Sequence, residues 1–144
     1  MTELLGVEKG LREEVRGKNE EVREGESDVY ERAFNFACRI LRMDGALARK
    51  RSVNRNAMNQ LIAAASSIGA NLEEAKAGQS KADFHAKIRI ALKEARESYY
   101  WLRLIAASSA TQAARFTLLI QEANEIVAIL TTIAKRANPK QPAS

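Results

Sequence analysis

Between Gln60 and Leu104 apolar and small residues recur at alternating spacings of three and four, the pattern of a helix that buries one stripe. Met58, Leu61, Ala65, Ile68, Leu72 and Ala75 form one such seam, predicting a helix from about Asn54 to Ala77 with Gly78 as its stop. Phe84, Ile88, Ala91, Ala95, Ser98, Leu102 and Ile105 form the next, opened by Ser80 as N-cap with Asp83 in the first turn. Before these, Tyr30, Ala33/Phe34, Ala37 and Ile40/Leu41 mark a helix. It is predicted to start at an Asp28–Glu31 capping box and to end at Asp44-Gly45. After them, Phe116, Leu119, Ala123, Ile126, Leu130 and Ile133, widened by Ile120 and Val127, mark a fourth. Its predicted start is near Ser109, with Gln112 completing a capping box. Four helices with short connections close most simply as an up-down antiparallel bundle, an all-α fold.

Two departures from clean periodicity carry information. Gly69 sits inside the second helix, where it costs about 1 kcal/mol relative to alanine. The expected compensation is a neighbouring helix pressed against Gly69 and Ala70. In the third helix Ile90, Trp101 and Leu104 fall well off the seam, and Tyr100 points nearly opposite it. A bundle helix needs one apolar stripe, so this second patch is read as a self-association surface. The competing reading is a broad core whose edge Trp101 seals.

The periodic region divides the chain into a leader over 1–27, a bundle over 28–138 and a polar tail over 139–144 that holds both prolines, Pro139 and Pro142. The leader is polar and is expected to be a mobile arm, although Leu4, Leu5, Val7 and Leu11 are able to dock as one amphipathic turn. Charge follows the same division. Residues 1–27 carry eight acidic and five basic side chains, while 28–144 carry ten acidic and eighteen basic, so the net +5 is an acidic arm on a basic bundle. A basic surface suits the phosphates of RNA, or serves solubility alone. The first loop contributes Arg49, Lys50 and Arg51, with Arg55 just beyond. Arg89, Lys93, Arg96 and Arg103 make a stripe off the seam of the third helix.

Catalytic and metal chemistry find little support. A di-iron bundle needs two Glu-x-x-His pairs, whereas His85 is the one histidine and has no Glu three residues before it. Zinc lacks ligands for the same reason. Ser66, Ser67, Ser108 and Ser109 have no neighbouring base in sequence, and Glu94/Glu97 and Glu122/Glu125 read as solvated pairs. No enzyme activity and no cofactor is expected. Asn71 is expected to be structural, fixing helix register through a buried amide. Asp83 and Lys87 are expected to pair along their helix, as are Asp28 and Arg32. A single cysteine, Cys38, forms no internal disulfide and is read as a buried inert thiol in a reducing, cytoplasmic setting. No stretch is expected to span a bilayer or to act as a signal peptide.

The segments from Asp28 to Ala37, Gln60 to Ala75, Ser80 to Phe84 and Ile88 to Glu97 resemble the bacterial four-helix-bundle proteins of the ribosomal RNA intervening-sequence type. The pieces carrying it best are Ser67-Ile68-Gly69-Ala70-Asn71-Leu72-Glu73-Glu74-Ala75 and Ser80-Lys81-Ala82-Asp83-Phe84, and the likeness runs from Asp28 to Ala137. It implies that Gly69, Asn71, Glu74, Ser80, Asp83 and Phe84 are packing and capping positions. It also implies assembly as a ring-like homopentamer and no enzymatic activity. Members of this type are often encoded within segments inserted in large-subunit ribosomal RNA genes. A related branch, the accessory protein of diversity-generating retroelements, is a basic pentamer that binds a reverse transcriptase and nucleic acid. That branch carries proline before Ala-Asn where this chain has Gly69, which places this chain on the Gly-Ala-Asn side. The expected function is a non-enzymatic oligomer that binds RNA through its basic surface. The alternative is a scaffold that docks a partner polypeptide and binds no nucleic acid.

Overall fold

The computed structural model describes residues 29–48, 53–109 and 113–140. Within them the chain is all-helical, with α1 (Val29–Leu47), α2 (Arg55–Lys76), α3 (Lys81–Ser108) and α4 (Ala113–Arg136), and no strand among the described residues. The predicted leader, the Asp28 cap, Arg49, Lys50 and Arg51, Gln112 and the last four residues of the tail lie outside the described residues.

The predicted seams of α2, α3 and α4 form most of the core, with Phe84 and Ile133 only half-buried against it. Met58, Leu61, Ala65, Ile68, Leu72 and Ala75 are buried, as are Ile88, Ala91, Ala95, Ser98, Leu102 and Ile105, and Phe116, Leu119, Ala123, Ile126 and Leu130. Each fully buried Leu, Ile, Phe or Met contributes about 1.5–3 kcal/mol relative to exposure, so these seams dominate the stability of the fold. Every helix packs on its neighbour in sequence, and α1 also meets α4. The α2–α3 pair is the most extensive contact. The buried seams of the two helices include Ala64, Ala65, Ala75, Ala91, Ala95 and Ser98, and small side chains of this kind let packed backbones approach closely. Ser98 keeps its hydroxyl satisfied by donating to the Glu94 carbonyl of its own helix at 2.9 Å.

Local signals set several helix ends. Asn54 caps α2, its side-chain oxygen accepting from the Ala57 N–H at 3.0 Å, and Ser80 caps α3 by accepting from the Asp83 N–H at 3.1 Å. Ala77 and Gly78 close α2 with N–H bonds to the Glu74 and Ala75 carbonyls. Two expected ends move. α1 runs through Asp44-Gly45 to Leu47, because Met43 and Leu47 continue its buried stripe. Ser109 ends α3 in extended backbone (φ −109°, ψ 135°) rather than opening α4, which begins at Ala113.

The face of α1 is also corrected. Its buried residues are Val29, Ala33, Phe36, Ile40, Met43 and Leu47, while Phe34 and Leu41 are exposed and Ala37 and Cys38 only half-buried. Ion pairs join the elements. Lys87 of α3 reaches Glu74 of α2 at 2.5 Å rather than pairing with Asp83. Arg55 at the start of α2 binds Asp44 near the end of α1, and Lys76 at the end of α2 lies 4.3 Å over the Tyr30 ring at the start of α1. These contacts make α1 and α2 antiparallel. Arg32 of α1 grips Glu122 of α4 with two hydrogen bonds, at 2.8 and 3.0 Å, and also binds Glu125. The Glu122 bonds, with Glu125 adding to them against the opposing effect of burial, hold the guanidinium pKa above its ordinary value.

Contrary to expectation, one helix does pass for a membrane span by length and apolar composition, α4 over Ala114–Arg136. Its seam lies in the bundle core, and Glu122 and Glu125 sit midway along it in the Arg32 cluster. Among the described residues α4 thus buries one face in the bundle and carries charge midway along its length.

Candidate nucleic-acid interface

The outer surface of α3 gathers the sequence-predicted cations of this helix on one side. A residue turns about 100° from its neighbour in an α-helix, so positions seven apart nearly superpose. Arg89, Arg96 and Arg103 therefore make one row, Lys93 and Tyr100 the next, and Ile90, Glu97 and Leu104 a third. A shallow groove runs along these rows, lined among others by Arg89, Ile90, Lys93, Arg96, Glu97 and Tyr100. All four cations are exposed, and none forms an ion pair among the described residues. Arg103 instead lies 5.2 Å from the Tyr99 ring.

The apolar flank is also open. Tyr100 is 55% exposed, Leu104 41% and Ile90 40%. Trp101 differs from them. It is half-buried and packed on the core, with Tyr100 meeting it edge-on at 5.3 Å between ring centres. Trp101 thus seals the bundle edge and supports an exposed tyrosine. Acidic groups temper the face: Glu97 lines the groove, and Glu94 is half-buried beside it. Desolvation, then the nearby Glu97, raises the Glu94 carboxyl above its usual range, with Lys93 opposing.

The remaining predicted cations are elsewhere. Arg55 belongs to the α1–α2 corner, bound to Asp44 and 3.2 Å from the Asn59 side-chain oxygen, so its charge is locally answered. Arg39 lines a second cleft between α1 and α4 with Arg32, Asn35, Phe36 and Glu122. The signature positions have structural surroundings. Asn71 donates to the Ser67 carbonyl at 2.8 Å and the Ser67 hydroxyl at 3.1 Å, so its amide bonds within its own helix rather than across to another. Glu74 ties α2 to α3 through Lys87, and Phe84 packs half-buried on the core. Gly69 has no close neighbour: a Cβ built there meets nothing within 4 Å, and Ala70 is exposed. The expected helix against Gly69 is therefore absent from the described residues.

The Ser66 hydroxyl donates to the Ile62 carbonyl at 2.7 Å, and that of Ser108 to the Ile105 carbonyl at 3.2 Å. Among the described residues no group of three or more His, Cys, Asp or Glu is placed to hold a metal. Phe34 and Leu41, expected on the apolar face of α1, are exposed, and so is Leu118, which the sequence reading passed over. The unbroken four-three spacing from Val29 through Leu47 would have put Phe34 and Leu41 outside the α1 seam.

Comparison with known proteins places this bundle. No curated protein matches the chain. A crystal structure of a protein of unknown function from the S23 ribosomal protein family, from Bacteroides thetaiotaomicron VPI-5482, is similar to it. The two share 34% identity with a TM-score of 0.69, over 74% of this chain and 98% of that one. The model of the 23S rRNA-intervening sequence protein family matches residues 25–132, which takes in most of the described helices. By that match the chain belongs to the 23S rRNA-intervening sequence protein family.

Proposed function

We propose that this protein works without catalysis, as a cytoplasmic homo-oligomer of up-down bundles that binds RNA phosphates along the outer face of α3. The observation that carries this reading is the row of Arg89, Lys93, Arg96 and Arg103, four exposed cations with no ion pair among the described residues. Such charges attract a polyanion and release its counterions on contact, with little readout of sequence. Tyr100 beside the row offers an exposed ring on which an unpaired base can stack. A ring-like assembly, with the homopentamer implied by the family resemblance, would repeat the row and multiply its affinity. Leu104 and the edge of Trp101 are the surface through which copies meet in this reading. Trp101→Ala with Leu104→Ala then shifts the light-scattering mass toward the monomer, and an unchanged oligomer removes that surface.

The RNA reading is tested by fluorescence anisotropy of nuclease-treated protein with labelled ribosomal RNA fragments and random RNA across a salt series. Binding that weakens steeply with salt supports it. No binding at low salt contradicts it. A second reading rests on the exposed apolar flank of Ile90, Tyr100 and Leu104: a scaffold that docks a partner polypeptide and binds no nucleic acid. One protein co-purifying at fixed ratio, with no RNA bound, favours that alternative.

A further inference from the structure

The α3 groove sets narrow terms for an occupant. Its cationic row of Arg89 and Arg96 asks for carboxylates, its flank of Ile90 asks for aliphatic groups, and Lys93 and Tyr100 between them accept either. The carboxylates of Glu97 and Glu94 on the same helix leave three lining cations against two acids. The sequence outside the described residues contains a segment that meets these terms. In residues 1–27, Leu4, Val7, Leu11 and Val15 are spaced by three, four and four. On a helical projection Glu3, Glu14 and Glu21 fall along one edge of that stripe, Arg12, Arg16 and Arg23 past its other edge, and Lys18 on it. One edge of the stripe is thus acidic, as one edge of the groove is basic.

Position allows the match. α1 begins at Val29, and the Tyr30 ring beside it lies 4.3 Å from Lys76 at the end of α2. The same end of α2 is joined to the start of α3 by Glu74 and Lys87, one residue past the groove-lining Ala86. The leader therefore joins the bundle at the end where the groove begins. From Ala86 to Tyr100 the groove spans about 21 Å at helical rise, and 27 residues at the same rise cover about 40 Å. Gly6, Gly10 and Gly17 lower the intrinsic helix propensity of the leader, which keeps such docking weak and reversible.

We infer that residues 1–27 dock in cis on the outer groove of α3, carboxylates toward Arg89, Lys93 and Arg96 and the Leu4, Val7 and Leu11 stripe toward Ile90 and Tyr100. The arm then competes with polyanions for the same cations. That competition rests on the RNA-binding reading, whereas the docking does not.

Zero-length carbodiimide coupling in the full-length protein tests it, since this chemistry joins only a carboxylate and an amine already in contact. Peptide mapping is expected to find Lys93 joined to leader carboxylates, Glu14 or Glu21 foremost, well above Lys76 or Lys135. An equimolar mixture of isotope-labelled and unlabelled protein is expected to give same-isotope pairs. The yield falls severalfold in the full-length Glu14→Gln/Glu21→Gln variant and in about 0.5 M salt, where charges are screened beyond a few ångströms. Equal coupling to Lys76 and Lys135, no coupling at Lys93, or mixed-isotope pairs at the statistical share each overturn docking in cis; the last assigns the groove to the leader of a second copy. The same variant is expected to bind RNA severalfold more tightly than the parent. If neither binds RNA, the functional reading falls, while the Lys93 coupling still decides the docking.

Discussion

Ser98 and Tyr100 stand two residues apart on α3 and meet opposite surroundings. Ser98 is fully buried, its hydroxyl returned to its own helix, in the seam that α3 turns into the bundle core. Tyr100 is more than half exposed, in the row of Lys93 and beside the row of Arg89, Arg96 and Arg103. The inner face is closed: its contacts are made, its polar atom is satisfied, and its role is to hold four helices together. The outer face has Arg89, Lys93 and Arg96 with no ion pair among the described residues and apolar side chains with little to pack on. Folding alone requires the first arrangement and does not require the second, so the search for activity belongs on the outer face.

Substitutions sharpen this contrast by moving stability and binding separately. The largest effect is expected at Leu102, fully buried in the α3 seam. Leu102→Ala lowers the unfolding free energy by about 2–5 kcal/mol in chemical denaturation. Next comes Ala95→Leu, which forces a larger side chain into the fully buried α3 seam and costs about 1–3 kcal/mol by the same measurement. A cost below about 0.5 kcal/mol at either site would mean that the inner face is not tightly packed.

Gly69→Ala has the opposite sign. A Cβ there meets nothing within 4 Å, so the helix gains about 1 kcal/mol, read as a raised melting temperature. A loss instead would reveal a second copy packed on Gly69. Smaller still is Arg96→Ala, which is expected to change stability by less than about 0.5 kcal/mol while weakening RNA binding. The smallest effect depends on pH. Glu94 has its folded pKa raised by desolvation and then by Glu97, so it favours the folded state most below its unfolded pKa. That contribution is lost as pH rises through the folded value. Glu94→Gln removes the dependence and gives a gain at neutral pH below about 1 kcal/mol, seen by comparing melts at acidic and neutral pH.

The seams of α2, α3 and α4 were legible because alternating three-four spacing has one physical reading, a buried stripe. The Asn54 and Ser80 caps were legible because a short polar side chain before a seam meets free N–H groups. The face of α1 was misread because Phe34 and Leu41 are as hydrophobic as Phe36 and Ile40, and the choice between them rests on register alone. Gly45 and Ser109 look like a stop and a start, yet burial of Met43 and Leu47 carries α1 past the first, and extended backbone at the second closes α3. Charge partners were the least legible. Arg32 with Glu122, Arg55 with Asp44 and Lys87 with Glu74 are set by which helices lie side by side, which spacing along one helix cannot encode. The cationic row of α3 was visible in the sequence; its freedom from ion pairs among the described residues was not.

The most direct test of the outer face as the working surface compares the parent with Arg89→Ala/Lys93→Ala/Arg96→Ala in RNA-binding anisotropy over a salt series. Circular dichroism first establishes that both are equally helical. Each phosphate contact removed lowers the slope of log affinity against log salt by about 0.7 on single strands and 0.9 on duplex. The account predicts weaker binding by the triple variant and a slope smaller by about 2 to 3. An unchanged affinity and slope would contradict it and place the RNA, if bound at all, on another surface.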